Sequence, residues 1–410
     1  MHWPVAKDSA SSEWAVIVGC CSGTGLRLRF ANSLTRGALS KRGREETNLK
    51  SVKTQIGFVP TPFQALPRIG IAALAERLVI PPPHPTLTYM DHKARVYESV
   101  FEMLPDEENP TPLVRLNRLN PAADFPLYAK LEWMNPFGSV KDRAAWEMLR
   151  DLELRKQIGG QRGIVEPTSG NTGISLAAMA RARGYHMRAV VPNKVPLEKK
   201  ILLKIAGAEL DVISDELCPA PGLGEGSINL AKTHAKASSH KYAMPNQYEN
   251  ERNVEAHFRT TGPEIWKQTS GKITHLFVSL GTCGTVTGTG RFLRSKKPDV
   301  KIIAVQPTEG HDVPGLRNVS QLGVSKLFDS SLVDDILEVD FRLAYARALE
   351  LCQSEGLLAG PSSGLILDGA LRIVNRDRSG FGVMIFPDNI FKYTSNMVKH
   401  IPGLAAGTTA

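Results

Sequence analysis

From about Pro105 onward, short β-branched runs alternate with stretches of helical periodicity, and few architectures accept that rhythm. The runs are Leu127–Leu131, Gly163–Glu166, Arg188–Val191, Leu210–Ser214, His275–Ser279, Ile302–Gln306 and Val383–Phe386. Between them, Ile174–Arg183 places Ile174, Leu176, Ala177 and Met179 at helical spacing, and Leu343–Glu355 does so with Leu343, Ala346, Leu349 and Leu351. Strands that alternate with helices pair in parallel, so the pattern predicts an α/β fold of twisted, mostly parallel sheets flanked by helices. In such sheets ligands sit at the carboxyl ends of the strands. Glycine-rich turns directly after strands are therefore where chemistry is expected.

The 410 residues, 42% of them hydrophobic, suffice for one large or two moderate domains. No apolar run approaches the roughly 20 residues of a bilayer span, so no membrane partner is expected. The five cysteines show neither a C-x-x-C pair nor an even disulfide framework, and a reducing, cytoplasmic setting is the default. Residues 1–104 hold 13 Lys and Arg against 8 Asp and Glu, which is +5 of the net +9. This N-terminal extension reads as largely irregular, with a Pro81-Pro82-Pro83 run and one helical stretch around Ala94–Leu104. Between Trp14 and Arg44 it has no acidic residue, a pattern vaguely like an organellar transit segment, which would direct the chain to mitochondria. Gly19-x-x-x-Gly23-x-Gly25 imitates a nucleotide-binding turn, but no βαβ series follows it. No basic stripe interleaved with aromatics points to nucleic acid, and a small anionic ligand explains the charge equally well.

Four segments carry chemical meaning. Asn135-Pro136-Phe137-Gly138-Ser139-Val140-Lys141-Asp142-Arg143 is a turn ending in a lysine at a predicted helix start, with Ser139 able to cap it. An amine at the positive end of a helix and inside a pocket has its neutral form favoured and can condense with an aldehyde. Taken alone, a lysine is more often a solvated charge. Glu166-Pro167-Thr168-Ser169-Gly170-Asn171-Thr172-Gly173 follows a strand and opens a helix, as a carboxylate cradle does, or simply an N-cap and tight turn. Gly281-Thr282-Cys283-Gly284-Thr285-Val286-Thr287-Gly288 offers bare N–H groups for a phosphate, without the Gly-Lys-Ser/Thr ending of a Walker loop. Gly360-Pro361-Ser362-Ser363-Gly364 could set a hydroxyl against a heteroaromatic nitrogen, or merely cap a helix. His311 has no partner at metal spacing and reads as structural; no metal site is indicated.

In this order and at these separations, the four segments resemble the cysteine synthase and cystathionine β-synthase family of fold-type-II pyridoxal-phosphate enzymes. The likeness runs from about Asn109 to Gly403 and takes in Pro110-Thr111-Pro112-Leu113-Val114-Arg115-Leu116, Pro245-Asn246-Gln247-Tyr248 and Arg259-Thr260-Thr261-Gly262-Pro263-Glu264-Ile265-Trp266. It implies a two-domain, tryptophan synthase β-like fold over residues 105–403, with a smaller mobile subdomain at about 143–247 and a tail at 404–410. It makes Lys141 the catalytic lysine and covalent holder of pyridoxal 5'-phosphate, and Asn171 the partner of the cofactor's phenolic oxygen. Gly281, Thr282, Cys283, Gly284 and Thr285 would hold the phosphate, and Ser362 would face the pyridine nitrogen. Thr168, Ser169, Gly170, Thr172 and Gln247 would hold the substrate carboxylate. A neutral hydroxyl at the pyridine nitrogen keeps the ring a moderate electron sink, which favours β-elimination.

The implied activity is β-replacement on an O-activated serine, foremost cysteine formation from O-acetylserine and sulfide. Cystathionine β-synthase, O-phosphoserine sulfhydrylase and 2,3-diaminopropionate synthase chemistry would use the same machinery. A non-catalytic relative would have a damaged cofactor site, whereas Lys141, Asn171 and Ser362 are present. The resemblance also implies a homodimer. Departures from the family pattern are Phe137 and Pro361, Cys283 in place of a glycine, and Glu251-Arg252 where Pro-Ala is common. The Cys283 thiol is expected to be packed rather than catalytic, and Asp388 either approaches the pyridine side through water or serves a turn.

Overall fold

The computed structural model describes residues 96–214 and 226–407. The acid-free stretch from Trp14 to Arg44, the Gly19–Gly25 turn and the Pro81–Pro83 run lie outside the described residues. The helix expected around Ala94–Leu104 is, in its described part, a 3-10 turn at Val100–Met103. Phe101 on that turn stacks on Trp146 with ring centroids 4.8 Å apart.

The strands in chain order are β1 (Leu113–Arg115), β2 (Leu127–Leu131), β3 (Gly163–Pro167), β4 (Met187–Pro192) and β5 (Ala208–Ile213). They continue as β6 (Tyr242–Ala243), β7 (His275–Ser279), β8 (Lys301–Pro307), β9 (Asp335–Val339) and β10 (Gly382–Phe386). The helices are α1 (Lys141–Leu154), α2 (Asn171–Ala182), α3 (Leu197–Ile205), α4 (Gly226–Ala237) and α5 (Arg252–Arg259). After them come α6 (Thr261–Gln268), α7 (Gly284–Lys296), α8 (Phe341–Glu350), α9 (Pro361–Asp377) and α10 (Thr394–His400).

Two sheets form: six strands in the order β1-β2-β10-β7-β8-β9, and four in the order β5-β4-β3-β6. Every pairing is parallel except β1 with β2. Strands covered by helices on both faces lose the apolar/polar alternation, and β3 and β10 are buried along their whole length. Edge position has the opposite effect on β9, whose residues alternate between half-buried and exposed before Val339. The four-stranded sheet packs through Ile164, Val191, Leu176 and Leu203, and Phe137 joins that cluster, which explains an aromatic in a turn where a small residue is usual. Lys130 in β2, Glu132, Arg143 in α1 and Glu264 in α6 form a buried ionic group, with Lys130 Nζ 2.6 Å from Glu264 and Arg143 Nε 2.7 Å from Glu132. Among the described residues no helix is long and apolar enough to cross a membrane.

Candidate active site

Four helices begin at one cavity. Lys141 and Asn171 are the first residues of α1 and α2, Thr285 and Ser362 the second residues of α7 and α9, and all four line a space of about 1080 Å³ that is partly open to solvent. Each helix follows a turn whose residues explain its direction. Before α1, Asp142 accepts the N–H of Phe137 at 2.7 Å and the hydroxyl of Ser175 at 2.6 Å, while Val140 N–H donates to Pro387 O at 2.8 Å. Val140, not Ser139, stands at the N-cap position and its side chain caps nothing, while the Ser139 hydroxyl accepts the Lys141 N–H at 3.3 Å. The Lys141 amine is pushed below its ordinary value by burial, against the opposing pull of the Asp388 carboxylate. Its neutral, nucleophilic form is thereby favoured.

At the start of α2, Thr168 Oγ1 accepts the N–H groups of Gly170 and Gly173, both at 3.0 Å. Thr168, Ser169, Asn171 and Thr172 line the cavity together with Gln247. Gly170 does not line it; at φ 138° it turns the chain, and a Cβ there would lie 2.5 Å from Lys199 Cδ. Gln247 is fixed on three sides: its Oε1 accepts from Thr172 at 2.6 Å, its Nε2 donates to Pro167 O at 2.9 Å, and its N–H donates to Glu166 at 3.0 Å.

In the turn before α7, Gly281, Thr282 and Thr285 line the cavity, while Cys283 and Gly284 stand behind it. Cys283 is the helix N-cap in the left-handed region (φ 68°), a conformation that ordinarily favours glycine. Its thiol packs in the core beside Leu280 and Val286, and burial pushes it up to about 12, so it stays protonated. A Cβ on Gly281 would lie 2.8 Å from Gly315 O, and one on Gly284 2.1 Å from Asn253 Oδ1. His257, held by burial and then by Arg143 and Lys141 down at about 3, is neutral and bridges Thr261 Oγ1 at 2.8 Å to Thr285 Oγ1 at 3.1 Å. Pro361 occupies the first turn of α9, where a missing N–H costs nothing, and Ser362 next to it is buried.

Sequence reasoning missed Lys199, Tyr393 and Arg317, which also line the cavity. Lys199 donates to Tyr393 Oη at 2.9 Å, and burial lowers its amine to about 8. His311, read as structural from the sequence, accepts the Val313 N–H at 3.2 Å and stands outside the cavity lining. Asp388 is fully buried and accepts from Asn171 Nδ2 at 2.8 Å and Tyr393 Oη at 2.7 Å.

An amine with lowered proton affinity at one wall and a helix start with glycines at 281 and 284 at another fit an aldehyde cofactor with a phosphate tail. A parallel α/β body that gathers these groups at its helix N-termini defines a pyridoxal-phosphate enzyme. The chain belongs to the family described as Pyridoxal-phosphate dependent enzyme, which matches residues 104–388. Cysteine synthase B of Salmonella typhimurium and that of Escherichia coli are each 40% identical to it over 288 residues, covering 70% of this chain and 93% of theirs. Among solved structures, O-ureido-L-serine synthase matches with a TM-score of 0.67 at 30% identity over 75% of this chain and 96% of its own. Cysteine synthase from Entamoeba histolytica matches at 0.66 and 27% identity over 78% and 98%.

Proposed function

We propose that this protein is a cysteine synthase, replacing the acetate of O-acetylserine with sulfide. The observation that carries the reading is the placement of Lys141, a half-buried lysine whose amine holds its proton less tightly than in water, in one cavity with the 168–172 turn and the 281–285 turn. The 40% identity to cysteine synthase B supports it. Lys141 Nζ is the covalent attachment point of the cofactor. The turn Gly281-Thr282-Cys283-Gly284-Thr285 holds the phosphate through backbone N–H groups and the Thr285 hydroxyl that His257 orients. Ser362 would face the pyridine nitrogen and Asn171 the phenolic oxygen. Thr168, Ser169, Gly170, Thr172 and Gln247 form the cradle of the substrate carboxylate, Gly170 by turning the chain.

When bound, pyridoxal phosphate draws electrons from the Cα of the amino acid joined to it and so makes loss of the β-substituent easy. Lys141 Nζ would take the Cα proton as general base and return a proton to Cα once sulfide has added at Cβ and acetate has left. Its proton affinity, lowered by burial, suits that role. The proposed assembly is a homodimer, as the resemblance implies.

The test is product formation. Purified protein loaded with pyridoxal phosphate is given O-acetylserine and sulfide, and cysteine and acetate are quantified together. Equal amounts of both support the reading. Turnover with O-phosphoserine, or with serine and homocysteine, at a higher kcat/KM than with O-acetylserine and sulfide would refute it.

A further inference from the structure

We propose that Asp388 and Lys392 are positioning residues that fix which way the Asn171 amide faces, so that it presents an N–H and not a carbonyl to the cofactor's phenolic oxygen. The proposal rests on the reading of Asn171 given above. Asp388 and Lys392 lie beyond the end of β10, and Asn171 opens α2 from the other sheet. Asp388 Oδ2 accepts from Asn171 Nδ2 at 2.8 Å. On the other side, Lys392 Nζ donates to Asn171 Oδ1 at 3.3 Å and to Gly138 O at 2.7 Å.

An asparagine amide is symmetric in shape, so its orientation is decided by its neighbours. Turned over, Asn171 would set its carbonyl against the Asp388 carboxylate and its NH₂ against the Lys392 ammonium. Both contacts would then be repulsive, acceptor facing acceptor and donor facing donor. The observed orientation satisfies both, with the Tyr393 hydroxyl beside the same amide, and Asn171 and Tyr393 both line the cavity.

Asp388 is itself held. Tyr393 donates its hydroxyl hydrogen to the same Oδ2 at 2.7 Å, and Lys199 donates to Tyr393 Oη at 2.9 Å. The Asp388 carbonyl accepts the Gly360 N–H at 3.0 Å. Gly360 has no side chain where a Cβ would stand 2.6 Å from Asp388 Oδ1. The carboxylate therefore sits in a slot shaped by glycine and tied to the turns that precede Lys141 and Ser362.

The consequence is chemical. A donor facing the phenolic oxygen stabilises its deprotonated form; a carbonyl there would stabilise the protonated form, which absorbs at shorter wavelength. The experiment records absorption spectra of the holoenzyme and its cofactor affinity for Asn171→Ala, Asp388→Asn, Lys392→Met and the double variant Asn171→Ala/Asp388→Asn. Asp388→Asn and Lys392→Met should each move intensity from the long- to the short-wavelength band and weaken cofactor binding roughly tenfold, as expected for one hydrogen bond to a charged group. Asn171→Ala should do the same, and adding Asp388→Asn to it should change nothing more, because the two residues act through one contact. If Asn171→Ala shifts the bands but Asp388→Asn and Lys392→Met leave them as in the wild type, the proposal is overturned. It is equally overturned if Asp388→Asn retains its full effect without Asn171. A wild-type spectrum for Asn171→Ala would overturn the underlying reading of Asn171 and the proposal with it.

Discussion

Lys141, Lys199 and Lys392 are one side chain in three settings, and burial lowers the proton affinity of all of them. What separates them is partners. Lys199 and Lys392 donate to Tyr393 Oη and to Gly138 O, which keeps each amine occupied, while Lys141 stands at a helix start on the cavity wall. Glu166 shows burial acting on the opposite charge. Its carboxyl is pushed up from 4.5 to about 7 by burial, against the N–H groups of Gln247 and Asn246. A raised folded value means that its stabilisation is full below 4.5 and lost as pH rises through about 7. Glu166→Gln removes that titration, so the variant's stability relative to wild type should rise by about 3 kcal/mol from the lower to the upper end of this window. Urea denaturation across the range checks it, and a pH-independent difference would contradict it. Lys141 and Asn171 were legible because their neighbours, Pro, Gly, Ser and Thr, form motifs. Lys199 was not, since Leu197-Glu198-Lys199-Lys200 reads as a solvated helix face and only the fold brings it under Tyr393.

At the scale of elements, the site depends on how closely helices approach. Gly288 in α7 lies where a Cβ would come 2.2 Å from Val254 O in α5, so the two helices meet backbone to backbone. Gly288→Ala should push α7 outward, costing about 3 kcal/mol of stability, and should weaken cofactor binding because the phosphate turn opens that same helix. Denaturation midpoints and cofactor titration test this; an unchanged midpoint would show that the contact yields at no cost. The long buried strands were legible as β-branched runs. β1 and β6 were not, being three and two residues long, and β9 escaped because Asp335 and Glu338 give an edge strand the polarity of a loop. Helix α8 was expected to run on to Glu355, but the chain loosens to a π-helix at Leu351–Glu355 and ends at Gly356 in the left-handed region.

Across the whole molecule, the starts of α1, α2, α7 and α9 line one cavity, where the proposed reading places cofactor, substrate and base. The ionic group of Lys130, Glu132, Arg143 and Glu264 ties β2, α1 and α6 together. Within it, burial pushes the Glu132 carboxyl up, but Arg143, Lys130 and Thr111 together hold it below the ordinary carboxylate range. No motif announced this group, because a buried charge is recognised only by the partner that the fold supplies. The parallel α/β class and the family were legible from strand rhythm and four turns; the second layer of charges around them was not. The central claim is that Lys141 carries the cofactor, and reductive trapping tests it directly. Borohydride reduction of the holoenzyme, followed by proteolysis and mass spectrometry, should place a pyridoxyl group on the peptide that contains Lys141. A pyridoxyl group on any other lysine, or on none, would contradict the account.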